Sequence, residues 1–190
     1  MSLPDAAPGA QSVGGWALFE TSIGHCGIAW GDAGLRGAQL PQADEAATRV
    51  RMQRRFPRLA ECPPPPEWQA LVEAVQALLR GEVRDLAETR LDWRGVSDFH
   101  QRVYRAALAI PPGRTLTYGD IAQQLGEPGA ARAVGQALGA NPFAPVVPCH
   151  RVLAAGGRHG GFSAHGGAAT KLKMLVIEGA APPDDQPTLF

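Results

Sequence analysis

The chain has 190 residues, and its 18 lysines and arginines balance 18 aspartates and glutamates, which leaves a formal net charge of zero. A chain of this length can form one large or two small domains with their own cores. Because overall charge cannot recruit nucleic acid, any such contact must come from a local patch. The sequence contains no long apolar run and starts with no secretory signal, so neither a membrane span nor secretion is expected.

Three cysteines, Cys26, Cys62 and Cys149, give no even disulfide framework, and their spacing matches no zinc signature. We therefore expect a cytoplasmic protein with reduced thiols and no bound metal. His25 beside Cys26 could belong to a metal site, but no further cluster of ligands supports one. A buried strand cysteine next to a hydrogen-bonded histidine is the expectation there.

The first half of the chain is predicted to begin as a small sheet. Residues 1–11 are small, polar and proline-bearing, which predicts a disordered lead-in. Apolar runs over 16–21 and 26–30 enclose a short turn and predict a β-hairpin, and 34–40 can supply a third strand.

Two helices are predicted next. Residues 43–56 place Ala47, Val50 and Arg54 at helical spacing, which is typical of an exposed amphipathic helix. A run of prolines then leads into a second helix over 68–79. The predicted apolar face of this second helix consists of Leu71, Val72, Val75, Leu78 and Leu79.

Residues 86–93 are interpreted as a last strand of the first half. Together these elements predict a small mixed α/β domain over 12–94. A mainly helical domain is expected over 95–179, followed by a tail over 180–190.

The second half is predicted to contain three short helices in succession. Ser97 precedes an apolar stripe at helical spacing and indicates a helix start. Thr117 is predicted to be the N-cap of a second helix over 118–125, and Gly126 is predicted to end that helix. A third helix, over 129–139, is rich in alanine and follows after a turn, as in a helix-turn-helix.

Residues 148–152 read Pro-Cys-His-Arg-Val and place a thiol beside an imidazole. A free cysteine is only a few per cent thiolate near neutral pH, so a reactive one needs a base or a positive environment. Cys149 has a candidate base in His150. An inert buried thiol is the structural alternative, because residues adjacent in sequence need not have side chains that meet.

A series of short motifs surrounds this pentapeptide. They are Thr-Tyr-Gly-Asp-Ile-Ala at 117–122, the alanine- and glycine-rich stretch 126–138, Asn-Pro at 141–142, Gly-Gly-Phe at 160–162, Lys171 and Glu178. Over 97–179, their order and spacing closely resemble the O6-alkylguanine-DNA alkyltransferase family, the methylated-DNA–protein-cysteine methyltransferases. The preceding residues match that family only in size and general pattern.

The resemblance implies an α+β fold, with a ribonuclease H-like first domain and a helical second domain whose helix-turn-helix is winged-helix-like. It also implies a DNA repair activity on double-stranded DNA that contains O6-alkylguanine, with O4-alkylthymine as a further substrate to consider. The alkyl group would pass irreversibly to the protein itself, in a single turnover. A monomer that needs no cofactor and no membrane is expected.

One predicted helix is slim enough to approach DNA. A slim helix fits a narrow minor groove, and an inserted side chain can occupy the gap left by an extruded nucleotide. By resemblance Arg132 is that inserted residue, and Ala131, Ala133, Gly135 and Leu138 are assigned to DNA contact. The structural alternatives are close packing of the small residues inside the protein and a surface salt bridge for Arg132.

The resemblance also implies the catalytic roles. Cys149 attacks the alkyl carbon, His150 takes the thiol proton through a water, and Glu178 orients the imidazole, as the third group of a catalytic triad does. Tyr118 would donate a hydrogen bond or a proton to guanine N3. Asn141 would support the turn around the cysteine.

Further groups are placed around the base by the same resemblance. The carbonyls of Cys149 and Val152 are assigned to the exocyclic amine, the Ser163 backbone to O6, and Arg151 and Phe162 to substrate or DNA contact. The sequence departs from the family here, since Phe162 lacks the hydroxyl of the tyrosine in many relatives and the loop after it is longer. These departures bear on the range of alkyl groups accepted.

Two other function classes are open. A non-catalytic reader of alkylated guanine would carry a different residue in place of Cys149. A cysteine hydrolase built on Cys149, His150 and Glu178 would need an oxyanion hole and would leave Arg132 unexplained. Neither a P-loop nor a dinucleotide fingerprint is present, which agrees with chemistry that uses no cofactor.

Overall fold

The first half of the chain folds around a three-stranded antiparallel sheet. The computed structural model describes residues 14–157 and 163–180. The sheet has the order β1 (Gly15–Thr21), β2 (Gly24–Gly31) and β3 (Gly34–Gln39). Tight turns join the paired strands, so the predicted hairpin and the predicted third strand are both confirmed.

Helix α1 (Glu45–Arg55) covers one face of this sheet with a narrow buried surface. Its buried residues are Thr48 and Met52. Met52 fits there because Gly27 of β2 has no side chain, since a β-carbon at that glycine would lie 2.9 Å from the Met52 sulfur. The predicted exposed helix is confirmed, because Val50 and Arg54 lie on its exposed side, whereas the buried residues Thr48 and Met52 were not predicted.

Helix α2 (Pro66–Leu79) packs on the opposite face of the sheet. Its first residue is a proline, which has no N–H to leave unpaired at a helix start. The Trp68 and Trp30 rings stack with their centroids 6.5 Å apart and join the helix to β2. The predicted apolar face is confirmed, because Leu71, Val72, Val75, Leu78 and Leu79 are all buried.

The strand predicted over 86–93 is absent from the described structure, where this segment forms a single bridge to β3. Leu35 N donates to Arg90 O at 2.7 Å, and Asp92 N donates to Leu35 O at 2.8 Å. The pairing does not extend, because Thr89 N bonds back to Leu86 O in a turn. The segment is a connection between the two halves rather than a strand.

The second half begins with helix α3 (Asp98–Leu108), short strand β4 (Leu116–Thr117), and helices α4 (Tyr118–Gln124) and α5 (Ala131–Gly139). Strand β5 (Val152–Leu153) then pairs in parallel with β4, and α6 (Gly167–Ile177) follows. The three predicted helices are confirmed, although α5 starts two residues later than expected.

Side-chain caps set the starts of two of these helices. Ser97 accepts a hydrogen bond from His100 N, and Thr117 and Asp120 form a reciprocal capping box at the start of α4. Gly126 ends the α4 region with a positive φ of 75°, a conformation that costs glycine little. Local sequence chemistry therefore fixes where Tyr118, the first residue of α4, stands.

The two halves share one hydrophobic core and meet at β3. Ala38 N donates to Pro142 O at 2.8 Å, so the sheet edge holds the loop before Cys149. Gly37 permits this approach, because a β-carbon there would lie 3.1 Å from that oxygen and 2.7 Å from the Phe56 ring. Across residues 14–157 and 163–180, no helix is long and apolar enough to span a membrane.

Candidate active site

Cys149 opens a short 3-10 turn at the end of the loop that follows α5. The residue is 7% exposed. Asn141 braces the loop from inside, since its Nδ2 donates to Val147 O at 2.8 Å and its Oδ1 accepts from Phe143 N at 2.9 Å. The thiol is therefore held by a polar clamp rather than by a mobile segment.

Burial raises the pKa of the Cys149 thiol, while a hydrogen bond from Asn141 and the charge of Lys171 act in the opposite direction. At neutral pH the residue is therefore mainly a thiol. Transfer of its proton to a base must accompany any nucleophilic attack.

His150 can be that base, because of how its ring is bonded. Its Nε2 lies 2.9 Å from Glu178 Oε1, and its Nδ1 is buried and makes no hydrogen bond with any described residue. Burial lowers the pKa of His150, against the opposing effect of Glu178. A neutral imidazole beside an ionised carboxylate carries its proton on Nε2, which leaves the Nδ1 lone pair as a proton acceptor.

Glu178 stands at the end of α6, and its side chain is 3% exposed. Burial alone would raise the pKa of Glu178, but hydrogen bonds and charges from His150 and Arg151 outweigh it and lower the pKa to about 2. The carboxylate is therefore ionised throughout the physiological range and can fix the His150 tautomer.

Arg151 occupies a different place from the one expected. Its guanidinium is buried against Glu178, with Nε to Oε2 at 2.8 Å and Nη2 to Oε1 at 2.9 Å, and Nη1 donates to Ile110 O at 2.6 Å. Contact of this side chain with DNA would break all three bonds. We correct the assignment of Arg151, because the side chain supports Glu178 instead.

Lys171 is a polar member of this site that the sequence analysis did not assign. The residue is fully buried, and its Nζ donates to Val152 O at 2.6 Å and lies 5.8 Å from the centroid of the Tyr118 ring. Burial lowers the pKa of Lys171 to about 8, against the opposing effect of Cys149. A usable signal was present, since this lysine shares the helical spacing of buried Met174 and Leu175 on α6.

These residues form a group that we call the buried charge cluster, which consists of His150, Arg151, Lys171 and Glu178. The carbonyl of Val152, which was assigned to the substrate's exocyclic amine, already accepts the Lys171 bond, so that amine would be a further donor to the same oxygen. Tyr118 stands above it, half-buried, and burial raises the pKa of this phenol, so it remains a donor at neutral pH.

Helix α5 presents a mixed surface. Arg132 is exposed and forms no ion pair with any residue in the described ranges, while Ala131, Ala133 and Gly135 are only partly covered.

Leu138 is 4% exposed in the core, so we correct its assignment to DNA contact. The reason is the helical repeat, which turns Leu138 to the same side as buried Val134 and Ala137. The Tyr104 hydroxyl bonds the Ala137 carbonyl at 2.9 Å on that side.

The loop after Cys149 is described in part. Phe162 lies outside the described residues, whereas Ser163 is exposed and lines a cavity beside Cys149.

In the described ranges no three His, Cys, Asp or Glu side chains are grouped so as to hold a metal. Cys26 is buried in β2, where burial raises its pKa to about 12, and His25 Nε2 lies 3.5 Å from Glu45.

The buried thiol, its neutral base and the exposed slim helix define a protein whose chemistry centres on one activated cysteine. A sequence model described as the DNA-binding domain of 6-O-methylguanine DNA methyltransferase matches residues 98–180. A methylated-DNA–protein-cysteine methyltransferase of Mycobacterium bovis is 46% identical over 128 residues, which is 67% of this chain and 74% of that protein.

Two further comparisons extend this likeness. The crystal structure of Mycobacterium tuberculosis OGT in complex with DNA aligns with a TM-score of 0.69 at 37% identity, over 89% of this chain and 96% of that one. A DNA base-flipping protein of Thermus thermophilus is 45% identical over 108 residues, or 57% of this chain and 71% of that protein. The chain belongs to the methylated-DNA–protein-cysteine methyltransferase family.

Proposed function

We propose that this protein repairs O6-alkylguanine in DNA by moving the alkyl group irreversibly to Cys149. The observation that carries the proposal is the neutral imidazole of His150, the residue next to Cys149, whose Nε2 is held by ionised Glu178 and whose Nδ1 makes no hydrogen bond with any described residue and is left as a base. One relative is named a methylated-DNA–protein-cysteine methyltransferase, and transfer of a methyl group to a cysteine agrees with this chemistry.

The transfer is a direct displacement at carbon. The Cys149 sulfur forms a bond to the alkyl carbon, and the bond from that carbon to O6 of guanine breaks with its electron pair on guanine. The thiol proton passes to His150 Nδ1 through one water. The Tyr118 phenol donates to guanine N3 as negative charge develops on the departing base. Asn141 keeps the thiol in place during the step.

Recognition requires the base to leave the duplex, because its reacting carbon is hidden inside the stack. We propose that α5 enters the minor groove and that Arg132 takes the space of the extruded nucleotide. Support comes from the exposed guanidinium, which forms no ion pair with any described residue, and from the small residues Ala131, Ala133 and Gly135 around it. Ser163 and Phe162 would then contact the base in its pocket.

The product explains why the protein acts once. A thioether is a poor leaving group, so nothing in the proposed step restores the thiol. A non-catalytic reader is the second candidate, since one relative is named a DNA base-flipping protein. The presence of Cys149 beside a prepared base favours transfer over reading. A hydrolase has less support. It would need a further step that releases the bound group from the Cys149 sulfur, and the proposed chemistry has no such step.

The domain organisation of the chain and its state of assembly can be proposed as well. We propose domains over 12–94 and 95–179, with a ribonuclease H-like first domain and a winged-helix arrangement in the second. The α4–α5 pair with the β4–β5 strands beside it supports the second of these. We also propose that the protein acts as a cytoplasmic monomer.

The test is the intact mass of the protein after mixing with a duplex that contains O6-methylguanine. We expect a gain of one methyl group per molecule and no further turnover. Cys149→Ser should bind the duplex without any gain, because a hydroxyl is a far weaker nucleophile. Cys26→Ser and Cys62→Ser serve as controls and should gain the full methyl group.

Three results would contradict the proposal. Multiple turnovers would indicate hydrolysis, and binding by the parent protein without a mass gain would indicate the non-catalytic reader. Full methylation of Cys149→Ser would place the nucleophile at another residue.

A further inference from the structure

A cavity of about 310 Å³ lies beside Cys149, between the two halves of the chain. The second half lines it with groups that include Asn141 and Ser163, and the first half contributes Arg51 and Arg55 of α1. No aspartate or glutamate belongs to the lining that the structure describes. The nucleophile therefore faces a chamber with one positively charged wall.

Arg55 is fixed in that wall by neutral acceptors. Its Nη1 donates to Ala38 O at 2.7 Å and to Gln39 Oε1 at 3.0 Å, and its Nη2 donates to Pro142 O at 3.1 Å. No carboxylate in the described ranges pairs with it. Burial, and the charge of nearby Arg51, lower the pKa of Arg55 to about 10, so the guanidinium is still charged at neutral pH.

Arg51 lies one turn earlier on α1 and is exposed. It forms no ion pair within the described part of the chain, in contrast with Arg49, which pairs with both Glu45 and Glu61. Like charges four residues apart on a helix repel each other. An anion placed in the cavity would relieve the repulsion between Arg51 and Arg55 and would find little competition from acidic side chains.

We propose that this cavity accepts O6 substituents that end in an anionic group, of which carboxymethyl is the smallest, and that Arg51 determines this specificity. The inference rests on the proposed function, because the cavity reaches the thiol and the group beside the thiol is the alkyl substituent. A DNA phosphate is the other source of negative charge, and it would be present equally in duplexes with a charged or an uncharged O6 substituent.

The carboxymethyl transfer balances in the same way as methyl transfer. The Cys149 sulfur bonds to the methylene carbon, the bond from that carbon to O6 breaks, and guanine keeps the electron pair and takes up a proton. The thiol proton goes to His150. The carboxylate is unchanged and remains in the cavity, attached through the new thioether and facing Arg51 and Arg55.

The experiment compares single-turnover rates for three duplexes, which carry O6-carboxymethylguanine, O6-propylguanine or O6-methylguanine. Propyl has one non-hydrogen atom fewer than carboxymethyl and lacks its charge, and the difference in size cancels when the rate ratio of a variant is compared with that of the parent. We expect Arg51→Gln to lower the ratio of the carboxymethyl rate to the propyl rate about fivefold to tenfold, the effect of losing one partly screened charged contact. Arg54→Gln, which removes an exposed arginine of α1 outside the cavity lining, should leave the ratio unchanged.

The outcomes separate the competing explanations. An unchanged ratio in Arg51→Gln overturns the inference. An equal loss of rate on all three duplexes also overturns it and indicates a phosphate contact instead. If the parent protein transfers the methyl group at full stoichiometry but never distinguishes carboxymethyl from propyl, the proposed function stands and this inference is wrong. Absence of transfer from every duplex would contradict the proposed function itself.

Discussion

Two regions of the second half differ in the burial and the bonding of their charged side chains. In the buried charge cluster, the charged and titratable side chains are removed from water and held by ion pairs and hydrogen bonds, such as the three between Arg151 and its partners. The surface of α5 offers the exposed side chain of Arg132, which forms no ion pair with any described residue. One region makes most of its contacts inside the protein and leaves only the Nδ1 atom of His150 unbonded among its described contacts, and the other is free for a partner.

The difference separates chemistry from DNA handling. A charge in a low-dielectric interior acts strongly on neighbouring groups, so the cluster should control how readily Cys149 loses its proton. An exposed arginine affects the thiol little and acts through what it touches. Variants of the cluster should therefore slow reaction with duplex DNA and with the free modified base alike. Variants of α5 should slow reaction with the duplex alone.

Glu178→Gln should give the largest effect. The amide cannot stabilise a protonated His150 as a carboxylate does, so we expect a loss of about a hundredfold or more in the single-turnover rate, equal on duplex and free base. The apparent pKa of Cys149 should rise in the pH–rate profile. Glu73→Gln, on the exposed face of α2, is the control. An unchanged rate and profile would remove Glu178 from the mechanism.

Arg132→Ala should come next and should separate the two substrates. Extrusion of a base costs a few kcal/mol, and a free base needs none. We expect a loss of about thirtyfold on the duplex and little change on free O6-methylguanine, if the side chain fills part of the gap. Arg84→Ala removes an exposed arginine of the first half and should change neither rate. Equal losses on both substrates would show that Arg132 supports the fold or the pocket.

Lys171→Met should have the smallest and most pH-dependent effect of the three. The positive charge of Lys171 favours the Cys149 thiolate, and this help disappears as pH rises through the lysine pKa of about 8. We expect the variant to react about tenfold more slowly than the parent below pH 8, with the difference shrinking above it. Lys173→Met, on the exposed side of α6, is the control. A deficit that is constant with pH would indicate a packing role alone.

Local chemistry made much of the fold predictable. The caps at Ser97 and Thr117 and the closing glycine after α4 are short-range signals, and each gave the correct helix boundary. The buried residues of α1 were not predicted, because the place of Met52 depends on a distant residue, Gly27, which makes room for it. The strand over 86–93 was wrong for a similar reason, since its pairing with β3 ends after one bridge.

The site was predictable in its residue types but not in its contacts. Adjacent Cys149 and His150, with Glu178 far along the chain, were identified together, and the hydrogen bond from His150 to Glu178 spans 28 positions. Sequence alone could not place Arg151, since an arginine beside a reactive cysteine can face either DNA or the interior. The missing information was that Glu178 has two buried partners to satisfy.

The carbonyl of Pro142 receives bonds from both Ala38 N and Arg55 Nη2, and both donors belong to the first half. A second half cut away from the first would lack both donors, so the loop before Cys149 would lose two of the bonds that hold it in place. Reactivity of this cysteine belongs to the whole chain rather than to the segment that carries the motif.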